Sequence, residues 1–372
     1  MTRNGGTASR RGVVFNGKFL SSRATGVYRV ASELLRGIDE SLARSASDGG
    51  GSWSLICPRN ADGVLPLSRI RRLRVGSLTK QAWEQLEVPA YVGTDLLVGL
   101  CNMAPLILRG SITLIHDAHV FSAPGFGSPA FNAWYRLALP RIGDAAAAVV
   151  TVSNHSRDQL VRHGIAPASK IRVIANGGDH LTRVVADRRV LAKMGLTPET
   201  YILAVANSQS HKNVAVLFEA QPMLAELGVR LVVVGPDDRS LFERRGRPVP
   251  ADVKFTGYVN DTELRALYEG AVCLAFPSTT EGFGLPPIEA MSLGCPVLAA
   301  PCGSLPEVCG AAAIFVDPRD PAAWVSAVGR LEDVSERARL VLAGKSQAAR
   351  YRWQDSVLSW LALIEEVRAA PR

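Results

Sequence analysis

The 372-residue sequence holds no uninterrupted apolar run of the length, about 18 residues, that a membrane-spanning helix needs. Its six cysteines include no C-x-x-C pair and no finger-type spacing. The first absence excludes a spanning helix. The second excludes a structural zinc knuckle and points to a reducing, cytoplasmic chain whose thiols pack as small hydrophobes. Met1 to Gly12 is basic and rich in Gly and Ser, but no sustained apolar stretch follows it, so export is not expected. Internal repeats, low-complexity tracts and heptads are also missing, which removes solenoids and coiled coils. Basic residues are not interleaved with aromatics in the manner of a nucleic-acid module, and no nucleic-acid partner is expected.

What is present is apolar material: 47% of the residues are hydrophobic and 20% are charged, enough for two buried cores. The net charge of +8 is unevenly spread. Residues 1–180 carry 21 Lys and Arg against 12 Asp and Glu, whereas residues 181–372 carry 21 against 22. The excess, with a cluster at Arg69, Arg71, Arg72 and Arg74, suggests that the first half faces something anionic, either a nucleic acid or a phospholipid surface, or simply presents a solvated basic face.

Short β-branched runs alternate with helical patterns. One series comprises Val13–Phe15, Ser54–Cys57, Leu96–Val98, Ile112–Ile115 and Val149–Val152; a second comprises Tyr201–Val205, Leu231–Gly235, Val272–Phe276 and Val297–Ala300. Near-continuous apolar strands separated by helices predict two parallel α/β sheets, each covered on both faces. Asn176-Gly177-Gly178-Asp179-His180 and the charged stretch after it offer no core, so a hinge is expected there, with a boundary near residue 185. The apolar stripe Val357, Leu358, Trp360, Leu361, Leu363 and Ile364 belongs to a terminal helix that needs a surface to cover.

The segment Ser278-Thr279-Thr280-Glu281-Gly282-Phe283-Gly284-Leu285-Pro286-Pro287-Ile288-Glu289-Ala290-Met291 reads as strand end, glycine loop and helix. Glycine lets backbone approach a ligand, proline starts the helix where a missing N–H costs least, and the positive helix end suits phosphate or sugar hydroxyls. Glu281 and Glu289 then reach one crevice at the carboxyl edge of the strands. Asn207-Ser208-Gln209-Ser210-His211-Lys212-Asn213 places an ammonium at another strand-to-helix turn, suited to neutralising a diphosphate. Ile115-His116-Asp117-Ala118-His119 puts His116 at a strand end facing a cleft. Asp117 either orients the His116 ring or caps the loop, and His119 reads as a structural histidine.

Together, Glu281-x7-Glu289 within E-G-F-G-L-P-P-I-E-A-M, H-K-N at 211–213, N-G-K-F-L with T-G-V-Y-R at 16–29, the H-D pair and T-V-S-N-H-S-R at 151–157 resemble retaining glycosyltransferase family 4. The resemblance runs from about residue 13 to the carboxy terminus and implies the GT-B fold. In that fold two Rossmann-like domains face each other across a cleft. Residues 1–185 would bind acceptor, 186–352 would bind nucleotide-sugar donor, and the helix 353–372 would cross back to the first domain. The resemblance puts Glu281 at the donor sugar with Phe283, Gly284 and Leu285 around it, Glu289 on the ribose, Lys212 on the diphosphate, Gly26 across the cleft from the phosphates, and His116 beside the reacting sugar. The loop before Lys212 opens on Ala206 where the family commonly has glycine; Asn207, which follows, is counted among the donor contacts. No D-x-D motif is placed to carry a divalent ion, and no metal or other cofactor is expected. The motifs look closest to bacterial mannosyl- and rhamnosyltransferases of polysaccharide assembly. They imply hexose transfer, mannose from GDP-mannose being favoured, to a saccharide or lipid-linked acceptor at the inner membrane face. An epimerase of the same fold and a catalytically silent partner subunit are the alternatives.

Overall fold

The computed structural model describes residues 11–21, 25–45, 51–122 and 127–370. Its first sheet contains β1 (Val13–Asn16), β2 (Trp53–Cys57), β3 (Arg71–Arg74), β4 (Leu96–Gly99), β5 (Ile112–Leu114), β6 (Ala148–Thr151) and β7 (Ile171–Val173), in the order β3-β2-β1-β4-β5-β6-β7. The second contains β8 (Tyr201–Val205), β9 (Arg230–Val234), β10 (Lys254–Gly257), β11 (Leu274–Phe276), β12 (Val297–Ala299) and β13 (Ala313–Phe315), in the order β10-β9-β8-β11-β12-β13. Every pairing is parallel. Both sheets therefore have the doubly wound order, with a switch point beside their first strand, where a crevice opens at the carboxyl ends. The two Rossmann-like halves expected from the strand series are both present.

Alternation along each central strand fills both faces. Val13 and Phe15 join a core that runs through both halves, while Val14 faces a separate core with Trp83 and Ile142. In β8, Tyr201 and Leu203 enter the shared core and Ile202 and Ala204 face Phe218 and Phe242. A period of two with both faces apolar is what a fully covered parallel strand requires.

The terminal helix spans Trp353–Ala369 and lies against the Gly26–Arg44 helix of the first half; residues 371–372 lie outside the described residues. Val357, Trp360, Leu363 and Ile364 are buried, while Leu358 of the expected stripe is 55% exposed because it sits on the opposite side of the helix. Arg368 closes this contact: its Nε donates to the Arg11 carbonyl at 2.8 Å and its guanidinium lies 5.5 Å from the centre of the Trp53 ring.

Three of the four clustered arginines lie on the edge strand β3, where Arg71 and Arg74 are exposed and Arg72 turns back to donate to the Ala61 carbonyl at 3.2 Å. Charged residues suit an edge because one side of the strand has no partner and must resist recruiting one. The Asn176–His180 segment is not an open hinge. Asn176 and His180 are buried, and a Cβ at Gly178 would stand 2.2 Å from Ile288 Cγ2. The segment is packed between the start of the terminal helix and the Leu285–Ser292 helix.

Candidate functional site

Between the carboxyl edges of the sheets lies a cavity of about 510 Å³. Its first-half wall is the Thr25–Val30 turn with His116 and Asp117; its second-half wall is Ala206, Asn207, Lys212 and the run from Glu281 to Pro286 with Glu289. All nine expected site residues, Gly26, His116, Asn207, Lys212, Glu281, Phe283, Gly284, Leu285 and Glu289, line this one space. A cavity of about 570 Å³ at the opposite, amino-terminal edge of the first sheet contains none of them.

Two helices point their amino-terminal ends into the cavity from opposite sides. The Gly26–Arg44 helix is capped by Thr25, whose hydroxyl accepts from Tyr28 N–H at 3.3 Å, and a Cβ at Gly26 would meet nothing within 4 Å. The Leu285–Ser292 helix begins at Gly284, whose φ of +93° is a left-handed conformation that a side chain would strain. Two positive helix ends and the Lys212 ammonium therefore converge on one space, an electrostatic setting that favours an anion, although Pro286 and Pro287 contribute no N–H.

Lys212 Nζ donates to Glu281 Oε1 at 2.6 Å, both side chains being largely buried. Burial alone would push the Glu281 carboxyl up, but the Lys212 ammonium, with hydrogen bonds from Lys212 and Ser278, holds it below the ordinary range. It is a carboxylate at neutral pH. Asn213, at φ +50°, pins the loop by donating to the Pro318 carbonyl at 2.6 Å and the Pro277 carbonyl at 3.3 Å. Asn207 shapes the start of that loop by accepting from Gln209 N–H at 3.0 Å. Burial, then the charge of Lys212, drives His211 down to about 4, so its ring is neutral.

Glu289 is held from behind. Tyr268 donates its hydroxyl to Oε2 at 3.0 Å, and His180 Nε2 lies 3.3 Å from Oε1. Burial and the neighbouring carboxylate push the Tyr268 hydroxyl well up, so it remains a donor. Across the cavity, Arg29 grips both oxygens of Asp261.

His116 donates from Nε2 to the Leu100 carbonyl at 3.2 Å, which leaves Nδ1 as the acceptor, and burial lowers its proton affinity. The carbonyl of Leu100 orients this ring. Asp117 instead caps the next turn, accepting from His119 N–H at 3.0 Å. His119 is not merely internal to its own half: its Nε2 meets Thr280 Oγ1 of the other half at 3.2 Å.

Ser153, the N-cap of the Asn154–Arg162 helix that follows β6, and Ser156, in the first turn of that helix, have a larger role than their sequence context suggested. Ser153 Oγ donates to the Gly282 carbonyl at 2.6 Å, and Ser156 Oγ reaches both that carbonyl, at 3.1 Å, and the His116 carbonyl, at 2.9 Å. A Cβ at Gly282 would stand 2.6 Å from His116 O, so the Gly282 loop touches the first half where only glycine fits. Glu307 adds a second clasp by accepting from Asn154 N–H at 2.9 Å and His155 N–H at 3.0 Å.

Arg29, His180 and Tyr268 reach the site without having been singled out for a role in it. Arg29 carried a signal in T-G-V-Y-R. His180 and Tyr268 carried none, because they lie far from Glu289 along the chain and meet it only through packing.

A cleft between two doubly wound halves, with the terminal helix crossing back to the first, defines the fold class: GT-B. Comparison with known proteins gives the family. Residues 63–180 match the model "Glycosyltransferase Family 4" and residues 199–333 match "Glycosyl transferases group 1". The O-antigen chain mannosyltransferase B of Escherichia coli is 32% identical over 292 residues, covering 74% of each chain. An O-antigen chain mannosyltransferase of Salmonella typhimurium is 27% identical over 286 residues, covering 75% of this chain and 77% of that one. Among solved structures, sucrose-phosphate synthase from Thermosynechococcus elongatus superposes with a TM-score of 0.76 at 20% identity, covering 97% of this chain and all of that one, a likeness of fold. The protein belongs to glycosyltransferase family 4. Among the described residues, no helix is long and apolar enough to cross a membrane.

Proposed function

We propose that the protein is a retaining, metal-independent mannosyltransferase that moves mannose from GDP-mannose to a saccharide or lipid-linked acceptor in bacterial surface polysaccharide synthesis. The observation that carries the chemistry is the Lys212–Glu281 pair on the cavity wall. In transfer, the bond from the anomeric carbon to the diphosphate breaks, the acceptor oxygen replaces it, and the acceptor proton leaves with the diphosphate. The departing group gains negative charge, and Lys212 together with backbone N–H groups at the Gly284 end of the Leu285–Ser292 helix is positioned to stabilise it. Glu281, kept ionised by Lys212, faces the sugar and stabilises positive charge developing at its anomeric carbon. Phe283, Gly284 and Leu285 surround the sugar, Asn207 and Gly26 contribute to the phosphate end, and His116 Nδ1 accepts from a sugar hydroxyl. Glu289 takes the ribose diol: each carboxylate oxygen has two acceptor positions, of which the Tyr268 hydroxyl uses one on Oε2, and His180 Nε2 stands 3.3 Å from Oε1. Mannose is favoured because two similar proteins are O-antigen chain mannosyltransferases. The basic first half supports docking on the anionic inner face of the membrane, where a lipid-linked acceptor would lie.

The test is a thermal-shift and donor-hydrolysis screen with GDP-mannose, UDP-glucose, UDP-N-acetylglucosamine and dTDP-rhamnose in the presence of EDTA. Stabilisation by GDP-mannose, lost in Glu289→Ala and Lys212→Ala, supports the reading; no response to any donor or free nucleotide rejects it. Conversion of the donor sugar without acceptor would favour an epimerase. Absence of sedimentation with anionic vesicles at low salt would remove the membrane.

A further inference from the structure

Glu289 is fixed by residues that no donor contact explains. Behind its Oε1, His180 is 4% exposed and its Nε2 lies 3.3 Å away, yet that nitrogen completes no hydrogen bond of good geometry. The other ring nitrogen is committed: Trp353 Nε1–H donates to His180 Nδ1 at 3.3 Å. A neutral imidazole accepting at Nδ1 carries its proton on Nε2, the ring nitrogen that lies 3.3 Å from Glu289 Oε1 without a completed hydrogen bond. Trp353 is itself anchored, its backbone N–H donating to Asp179 Oδ1 at 2.8 Å, and it is the first residue of the helix that crosses to the first half. Gly178 N–H to the Tyr351 carbonyl, at 2.9 Å, ties the same two segments together.

We infer that His180 is a positioning residue that aims Glu289 at a vicinal diol of the nucleotide, and that Trp353, by fixing the His180 tautomer, makes nucleotide affinity depend on how the terminal helix is seated. The inference rests on the nucleotide-sugar reading above. Tyr268 takes one acceptor position of Oε2 and His180 Nε2 stands 3.3 Å from Oε1, so each carboxylate oxygen keeps capacity for one of two adjacent hydroxyls. The His180 N–H is aimed beside Oε1, and the last hydrogen bond closes when the carboxylate turns to meet the diol. Supporting groups of this kind set the direction of a binding group and are felt in affinity although they touch no ligand.

The experiment is calorimetric titration of the full chain with GDP and with UDP, for wild type, Glu289→Gln, His180→Phe, His180→Gln and Trp353→Phe, with thermal unfolding of each and ¹⁵N-resolved NMR of the histidine rings. His180→Phe keeps a ring without a donor and is expected to weaken nucleotide binding about tenfold or more, in the range of a lost bond to a charged group. His180→Gln restores a donor and should recover most of that loss. Trp353→Phe, which touches neither Glu289 nor the cavity, should weaken binding by a smaller factor and shift the His180 nitrogen signals away from the pure Nε2–H form. Wild-type affinity in a folded His180→Phe overturns the inference while leaving the nucleotide-sugar reading intact. If His180→Phe fails to fold, Trp353→Phe decides: unchanged affinity with unchanged nitrogen signals overturns it. A wild-type chain that binds neither nucleotide overturns both.

Discussion

Replacing Lys212 with methionine keeps the length and bulk of the stem and removes the charge, leaving Glu281 buried beside no cation. Removing one partner of a buried pair costs about 3–5 kcal/mol. Lys212 is 20% exposed at its side chain and Glu281 11%, so the low end, about 3 kcal/mol, applies. At 2–4 °C per kcal/mol for a domain of this size, the second half should melt about 6–12 °C lower. The sign of the pH dependence follows from the same pair. In the wild type the Glu281 carboxyl is held below its ordinary range, so its contribution is present above the unfolded pKa of about 4.3 and is lost as pH falls through the folded value. In Lys212→Met the lowering cause is gone and burial dominates, so the folded pKa rises above the unfolded one, and the penalty grows as pH rises. The gap in melting temperature between the proteins should therefore be wide at pH 8 and narrow at pH 5, as read by calorimetry or circular dichroism. Sugar transfer should fall about 10²–10³-fold, the size of losing one group that stabilises developing negative charge. A gap independent of pH, together with less than a tenfold loss of transfer, would refute this account of the pair.

Glu289→Gln should weaken nucleotide binding by about 1.5–3 kcal/mol, the worth of hydrogen bonds to a charged group, and calorimetry reads it directly. In Gly282→Ala the new methyl must displace the His116 carbonyl, 2.6 Å away, at a cost of about 1–3 kcal/mol, with transfer falling alongside melting temperature; an unchanged melting temperature would show that the Gly282 loop does not close on the first half as described. His116 and His211 both hold protons less tightly folded than unfolded, His211 down to about 4, so stability should be full above about pH 6.5 and decline as pH falls below it, each histidine contributing up to about 1.4 kcal/mol per pH unit. His211→Gln should flatten the urea-derived stability profile between those limits. Equal slopes in variant and wild type would mean that His211 is not buried as described.

Four strands escaped notice in the sequence, β3, β7, β10 and β13, and all four are sheet edges. Central strands such as Tyr201-Ile202-Leu203-Ala204-Val205 are buried on both faces and paired on both sides, so they must be apolar without interruption. Edge strands meet solvent, so Arg-Arg-Leu-Arg or Lys-Phe-Thr-Gly can serve, and such runs look like loops. Glycine at 177 and 178 suggested flexibility for the same kind of reason. Composition reports the lack of a side chain, whereas only packing reveals that the lack makes room for Trp353 and Ile288.

The sequence by itself determined the two series of covered strands, the amphipathic terminal helix, and the two short segments that place Lys212, Glu281 and Glu289, because these depend on local periodicity and on neighbours within a turn or two. Tertiary structure decided which distant side chains complete the site: His180 and Tyr268 behind Glu289, the Leu100 carbonyl rather than Asp117 on the His116 ring, and Ser153 and Ser156 on the Gly282 carbonyl. Those partners lie 16 to 129 residues apart, and hydrogen bonds of about 3 Å are too short-ranged for any spacing rule along the chain to announce them.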